Sequence, residues 1–240
     1  MQKESRVKSV SLLYLAVIIA EIILAVILSF RIQGKAYYYT MAVVIAVLSL
    51  LPFFISFERR MPSARELSSL AVMTAIAVAS RAIMYAFPAV KPMCAIVIIT
   101  AVGFGPFAGF ICGAAAAFIS NFIFGQGMWT PFQMLGLGTV GLLAGLILKN
   151  RKLAQNRIFT AVTGALLAFA VYGAIVDIST VLMVSSQFSV KNIISVYSSG
   201  AVYSLIHALT TAAVLFVAGK TLIEKLTRMS VKYNIWNYGE

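Results

Sequence analysis

Residues 93–124 read MCAIVIITAVGFGPFAGFICGAAAAFISNFIF, a run that contains no charged side chain. A helix needs about 20 mostly apolar residues to cross a bilayer, so this run is long enough for more than one span. Gly103-Phe104-Gly105-Pro106 interrupts the run. We predict a short span that ends at residue 104, a tight reversal at the membrane boundary, and a second span over 106–124.

The composition of the whole chain agrees with this interpretation. Of the 240 residues, 61% are hydrophobic and 11% are charged, whereas a soluble domain is about half apolar and about a quarter charged. The alternating pattern of a β-barrel is missing, and helices are the other way to pair every backbone group in lipid. We predict an all-α integral membrane protein with eight spans, at 9–30, 37–57, 66–87, 91–104, 106–124, 131–148, 158–185 and 194–218.

Lysine and arginine are distributed unevenly among the segments that connect the predicted spans. If the N-terminus is cytoplasmic, fourteen of the 19 basic residues lie in cytoplasmic segments and five in outer segments. Short cytoplasmic loops are rich in lysine and arginine. We therefore predict a multi-pass protein of the cell membrane with both termini in the cytoplasm. The net charge of +12 is then explained by basic segments that face anionic lipid, and we predict no nucleic-acid partner.

The segment 57–66, which reads FERRMPSARE, predicts an internal boundary. It separates two N-terminal transmembrane helices, within 1–58, from a six-helix membrane core at 59–219. Ser63 followed by Glu66 is typical of a capping box that opens the third span. The remainder, 220–240, is predicted to be a cytoplasmic tail whose helix is amphipathic or interfacial, with Tyr233, Trp236 and Tyr238 at the level of the headgroups.

Motifs typical of enzymes are missing from the sequence. There is no His-Glu-x-x-His, no Gly-x-Ser-x-Gly and no pair of acids at helical spacing within a span. Gly219-Lys220-Thr221 is not the end of a phosphate-binding loop, because Val214 stands where the motif needs glycine. We predict that the protein is not an enzyme, has no catalytic residue and no metal site, and does not hydrolyse ATP itself.

Ionisable side chains within the predicted spans are the first candidates for ligand binding, since their insertion costs about 2.5–3.5 kcal/mol. Asp177 either lines a ligand cavity or pairs with Arg81 or with a partner at a helix end. Arg81 itself either extends to the headgroups or meets an anionic group of a ligand. His207, the single histidine, is either a buried packing residue or part of the cavity. For Glu21 we favour an interhelical hydrogen bond.

The loop between the fifth and sixth spans reads SNFIFGQGMWTPFQM at residues 120–134. It combines flexible glycines, aromatic rings and amides, and the predicted topology puts it on the outside. Such a loop is typical of a lid over a pocket for a small, largely apolar ligand with a few hydrogen-bonding groups. The alternative is an aromatic belt at the membrane interface.

Small residues recur every four positions in three places, a spacing that lets helices approach closely. The glycines at 105, 109 and 113 and those at 141 and 145 indicate packing within the bundle. Ala71, Ala75 and Ala79 form a flat stripe on the third span. This alanine stripe either packs internally or receives a helix of another protein.

Residues 66–218 resemble the substrate-binding S components of energy-coupling factor (ECF) vitamin transporters. The resemblance is carried by the alanine stripe, by Val90-Lys91-Pro92 with the following turn at 103–109, and by residues 124–134 with the glycines of 138–145. It implies a six-helix core that binds one vitamin at its outer face as transported substrate, without a cofactor. It also implies that the alanine stripe docks on a membrane coupling subunit and that two cytosolic ATPases supply the energy. The two extra N-terminal helices depart from the family's pattern.

The glycine- and tryptophan-bearing loop most resembles members assigned to cobalamin or related corrinoids, while riboflavin, pantothenate and thiamine precursors stay open. The predicted function is thus a high-affinity vitamin-binding subunit of an ATP-driven importer. The alternative is a self-sufficient secondary transporter, although such proteins often show matched halves and this sequence shows no clear repeat. The predicted ligand contacts are Arg81, Tyr85, Lys91, Asn121, Gln126, Trp129, Gln133, Asp177 and His207.

Overall fold

The computed structural model describes residues 62–87, 89–184 and 190–236, together with five single positions before residue 60. These residues form helices joined by short turns, and no strand occurs among them. The two predicted N-terminal spans lie outside the described ranges. The helices are α1 (Ala64–Ile83), α2 (Met93–Phe104), α3 (Pro106–Phe124), α4 (Thr130–Ile147), the short α5 (Arg151–Gln155), α6 (Arg157–Leu166, π-helical Leu167–Gly173, then Ala174–Val184) and α7 (Val190–Val214, π-helical Leu215–Gly219, then Lys220–Tyr233).

The helices confirm an all-α membrane protein. Within the described ranges, α1, α3, α4, α6 and α7 are long and apolar enough to cross a bilayer, and α2 is a shorter apolar helix. These six helices correspond one to one to the six predicted core spans. At the predicted start of the tail, residue 220, α7 shows no break, because a π-helical turn carries the same helix on to Tyr233.

The first turn of α1 is capped as predicted. The Ser63 hydroxyl accepts a hydrogen bond from the backbone N–H of Glu66 at 3.3 Å, and the Glu66 carboxylate accepts one from the Ser63 N–H at 2.9 Å. The same carboxylate accepts the backbone N–H of Trp236 at 2.7 Å. Trp236 is buried and stacks on Phe104, with ring centroids 6.5 Å apart. The prediction that Trp236 lies at the headgroups is therefore wrong. Its backbone is hydrogen-bonded to Glu66, and this contact joins the end of α7 to the start of α1.

The reversal between α2 and α3 occurs at Gly105. Its φ of 104° lies in the region that glycine adopts without strain, and its N–H donates to the Ala101 carbonyl at 2.9 Å. Pro106 follows as the first residue of α3, where its missing N–H leaves no intrahelical bond unmade. The predicted tight turn is confirmed. Gly105 serves this turn, so it does not belong to the packing series with Gly109 and Gly113.

Helix α2 lies at the centre of the bundle, in contact with α1, α3, α4 and α7. Nearly all of its side chains are buried, and those of Cys94, Val97, Ile98 and Ile99 have no exposed surface. A helix that is apolar all round is one that is covered all round. Helix α2 is short because the turn at Gly105 ends it and reverses the chain, which continues as α3.

Helices α3 and α4 form the closest contact of the bundle, and glycines make it possible. A Cβ atom added at Gly141 would overlap the carbonyl group of Gly109, and one added at Gly113 would overlap the Leu137 carbonyl. A Cβ at Gly145 would lie 2.6 Å from the Cα atom of Pro106. The backbones of the two helices are thus in direct contact, as the four-residue spacing predicts.

Substituting Gly141 by alanine is expected to destabilise the protein, because neither backbone can yield to the new methyl group. Overpacking of this kind costs roughly 1–3 kcal/mol. The matched control is Gly219→Ala, where the new Cβ would meet the Leu215 side chain at an ordinary 3.5 Å. Thermal unfolding of detergent-purified protein measures both. Equal unfolding temperatures for the two variants would contradict the backbone contact.

Candidate functional site

A cavity of about 330 Å³ lies between α6 and α7, at the end of the bundle where α1 ends and α2 begins. Gln133 in the first turns of α4 and Lys91 just before α2 complete its wall. The α7 residues among its lining recur every three or four positions, as expected for one face of a helix. The lining consists of Lys91, Gln133, Tyr172, Gly173, Val176, Asp177, Thr180, Val196, Ser199, Gly200, Tyr203, Ser204 and His207.

Aromatic rings and the single histidine form the inner part of this cavity. Tyr172 belongs to the π-helical segment of α6, and π-helical turns are frequent at functional sites. The His207 ring meets the Tyr172 ring edge-on, with centroids 5.0 Å apart. His207 is 2% exposed, and its Nε2 atom has no hydrogen-bond partner among the described residues. A buried polar atom without a partner is unfavourable, so a ligand that bonds to Nε2 gains from it.

Among the described residues that line the cavity, Lys91 is a cation and Asp177 is an anion. The Lys91 Nζ atom lies 5.0 Å from the centre of the Tyr203 ring. Asp177 faces Gly200 across the helix interface, where an added Cβ would come within 2.8 Å of a carboxylate oxygen. Glycine at position 200 therefore leaves room for the carboxylate. Burial, together with the nearby positive charge of Arg81, lowers the pKa of Lys91 to about 8.

A buried chain of hydrogen bonds connects α1 with the cavity wall. Arg81 donates from Nη1 to the Ser120 hydroxyl at 2.5 Å and to the Asn121 side-chain oxygen at 2.8 Å. Its guanidinium also lies over the Phe124 ring, 4.3 Å from the centroid. The Asn121 amide in turn donates to the Gln133 side-chain oxygen at 2.9 Å. Gln133 is thus held in a fixed orientation at the edge of the cavity.

The nine predicted ligand contacts fall into three groups. Lys91, Gln133, Asp177 and His207 line the cavity, and Arg81 and Asn121 support it through the hydrogen-bonded chain. The other three predicted contacts do not line it; these are Tyr85, Gln126 and Trp129.

Each of the three outlying residues has a different environment. Tyr85 is 72% exposed in the α1–α2 connection, with its ring 5.6 Å from that of Phe124. The Gln126 amide donates to the Phe118 carbonyl at 3.0 Å, and its oxygen accepts the Thr130 hydroxyl at 2.9 Å. The Trp129 ring packs against Gly127. The loop 125–129 is therefore folded onto itself: its amide group is hydrogen-bonded to nearby residues, and its tryptophan ring packs within the loop.

The sequence reasoning missed most of the α7 wall. Ser199, Gly200, Tyr203 and Ser204 are ordinary residues one by one, and none is charged. Together with His207 they put small or polar groups on one helical face of an otherwise apolar span. This periodic pattern of small and polar residues is the feature of the sequence that could have identified the α7 wall.

The alanine stripe faces away from the bundle. Ala71, Ala75 and Ala79 are exposed, while the adjacent Ala77 is fully buried. The stripe therefore does not pack internally among the described residues. The structure leaves it as a smooth outer surface on α1, flanked by the exposed side chains of Val72 and Ile76.

Comparison with known protein families identifies a match. The family model described as "ECF-type riboflavin transporter, S component" matches residues 61–228, which cover α1 to α7 except the last turns of α7. No curated protein and no solved structure matches the chain significantly. Within the described residues, no group of three His, Cys, Asp or Glu side chains is arranged to hold a metal ion.

The Lys91 ammonium group is expected to lose its proton near pH 8, well below the pH at which a lysine in a model peptide loses it. NMR titration of the protein with ¹³C-methylated lysines measures this, and Lys91→Arg assigns the resonance. Because Arg81 carries a charge of the same sign, Arg81→Gln raises the midpoint. A Lys91 resonance that still reports the charged form at pH 9.5 would argue against this description of the cavity.

Proposed function

The chain belongs to the family of ECF-type riboflavin transporter S components, and from this membership we propose that it binds riboflavin or a closely related flavin in the cavity between α6 and α7. Membership makes the protein a vitamin-binding subunit of an ECF importer in the cell membrane, which is a transporter component and not an enzyme. The observation that carries the proposal of a flavin is the family description, joined to the size and chemistry of the cavity.

The cavity chemistry suits a flavin. A flavin has a flat three-ring system, an imide edge with two carbonyls around an N–H, and a chain of hydroxyl groups. The rings of Tyr172 and Tyr203 offer aromatic surfaces of the kind that flat ring systems pack on. Lys91 offers a donor for carbonyl oxygens, whereas the His207 Nε2 atom and the Asp177 carboxylate accept from N–H or hydroxyl groups. These groups all lie on the lining of one cavity.

Cavity size favours a flavin over a corrinoid. The volume of about 330 Å³ is at the lower end of the roughly 300–1,000 Å³ typical of small-molecule sites. A corrinoid, with its macrocycle and amide side chains, has several times as many atoms as a flavin. The loop around Trp129, which favoured cobalamin at the level of sequence, contributes no residue to this lining. The comparisons do not support cobalamin, and the family description points to riboflavin.

The proposed transport cycle assigns separate tasks to separate surfaces. The cavity lies at the end that the distribution of basic residues predicts to be outside, so the vitamin enters from there. We propose that a membrane coupling subunit docks on the alanine stripe and that two cytosolic ATPases supply the energy. The exposure of Ala71, Ala75 and Ala79 supports this docking, because small residues permit close helix contact.

Detergent-purified protein is expected to bind riboflavin and quench its fluorescence, without hydrolysing ATP. Gln133→Ala removes an amide from the cavity wall and is expected to weaken binding roughly tenfold, which corresponds to about 1.4 kcal/mol. The matched control is Gln126→Ala, which removes the same group outside the cavity and should change the affinity far less.

Competition with other vitamins tests the ligand class in the same assay. Cobalamin, pantothenate and thiamine are expected to leave riboflavin binding unchanged. Displacement of riboflavin by cobalamin at comparable concentration would overturn the choice of a flavin. ATP hydrolysis by the isolated chain would overturn the assignment of the energy source to partner subunits.

The docking proposal is tested by Ala75→Trp, compared with Ala170→Trp, since both alanines are exposed on the outer surface of the bundle. A tryptophan at position 75 prevents close approach of a partner helix. In cells that contain the coupling module, Ala75→Trp is expected to reduce uptake of labelled riboflavin at least roughly tenfold. Riboflavin binding by the purified variant should be unchanged. Normal uptake with Ala75→Trp would show that the partner docks elsewhere.

A further inference from the structure

A second cavity, of about 410 Å³, lies at the opposite end of the bundle. It is enclosed by the end of α2, the connection from α4 to α5, and the last turns of α7. Because α2 and α4 end here and α6 begins here, the cavity lies at the boundary between membrane and water. The distribution of lysine and arginine predicts that this end is cytoplasmic.

Positive charge predominates in the lining of this second cavity. Among the described residues that line it, Lys149, Arg151 and Arg228 contribute three cations, and Glu224 contributes one acid. The three basic residues come from two separate parts of the chain, the α4–α5 connection and α7, so the fold brings them together. Guanidinium groups match the geometry of a phosphate with paired hydrogen bonds, and an ammonium group binds it as a point charge.

The floor of the second cavity is apolar. Leu148 and Ile223 are buried beneath the charged rim, 1% and 5% exposed. Next to the rim, Ile147 and Leu153 are exposed on the outer surface, 45% and 39%. The cavity therefore offers cations at its rim and apolar surface at its floor and side. This combination matches a lipid headgroup whose acyl chains follow the helix surface, and basic pockets of this kind on the cytoplasmic side bind anionic headgroups.

We propose that the second cavity is a binding site for a phosphate ester, held by Lys149, Arg151 and Arg228. The phosphate belongs either to an anionic phospholipid or to a soluble phosphate compound, and the apolar floor favours the lipid. The site is separate from the vitamin cavity, because the two lie at opposite ends of the bundle and share no lining residue among those that the structure describes. A phosphate bound here joins the α4–α5 connection to the end of α7.

The test compares two triple variants of the full-length protein. The first, Lys149→Gln with Arg151→Gln and Arg228→Gln, removes the three cations of the cavity. The second, Lys152→Gln with Arg65→Gln and Arg157→Gln, removes the same types and number of charges from exposed positions outside it. Native mass spectrometry measures the binding of phosphatidylglycerol and phosphatidylcholine to each protein. Far-UV circular dichroism and gel filtration establish that each variant is folded, and Arg228→Gln alone replaces the first triple variant if it is not.

The wild type and the second triple variant are expected to bind phosphatidylglycerol in preference to phosphatidylcholine. The first triple variant is expected to bind phosphatidylglycerol roughly tenfold less tightly or worse. Equal losses in the two triple variants would overturn the proposal, since the attraction would then be a diffuse effect of surface charge. Equal binding of the two lipids by the wild type would also overturn it.

Competition by soluble phosphate compounds distinguishes a phospholipid ligand from a soluble one. Inorganic phosphate and ADP are added in the same experiment, at increasing concentration. If the lipid is the ligand, neither displaces phosphatidylglycerol at millimolar concentration. If ADP or phosphate binds the wild type and not the first triple variant, the site takes a soluble phosphate compound. If none of these compounds binds in a way that depends on the three cavity residues, the proposal is wrong.

Discussion

The direct contact between the backbones of α3 and α4 is the constraint on which the rest of the bundle depends. At Gly109 and Gly141 no side chain separates the two helices, so they behave as one rigid unit. In a membrane, association of helices gains little from the hydrophobic effect and relies on close packing. This rigid pair forms one side of the space that α2 fills. It also fixes the distance between Asn121 on α3 and Gln133 on α4, which makes their 2.9 Å hydrogen bond possible.

Burial of Arg81 depends on the same pair of helices. A charged group within a membrane bundle is tolerated where other polar groups receive its hydrogen bonds. Ser120 and Asn121 supply those acceptors, and the Phe124 ring covers the guanidinium. The Arg81 side chain therefore forms hydrogen bonds inside the bundle and does not extend to the headgroups. Its charge still acts on the cavity, since it lowers the pKa of Lys91 without lining the cavity wall.

The sequence predicted those features that follow from local chemistry. The six core spans follow from hydropathy, the Ser63–Glu66 cap from residue type and spacing, and the turn at Gly105 from glycine followed by proline. The cavity lining was predicted only in part. Which residues line it depends on which face of each helix is turned toward the cavity, and residue types alone do not determine this. Asp177 and His207 were found because ionisable residues are rare in spans. Trp129 was chosen for its residue type, yet its ring is turned toward Gly127.

The π-helical turns show why sequence periodicity fails at the cavity itself. A π turn holds one residue more than the α-helical pattern expects, so every side chain beyond it is rotated around the axis. In α6 such a segment contains Tyr172 and Gly173 and immediately precedes the stretch that carries Asp177. An α-helical projection from Arg157 therefore assigns the wrong face to Asp177. In α7 the π turn at Leu215–Gly219 lies between His207 and Arg228, and it sets the relative orientation of the segments that line the two cavities.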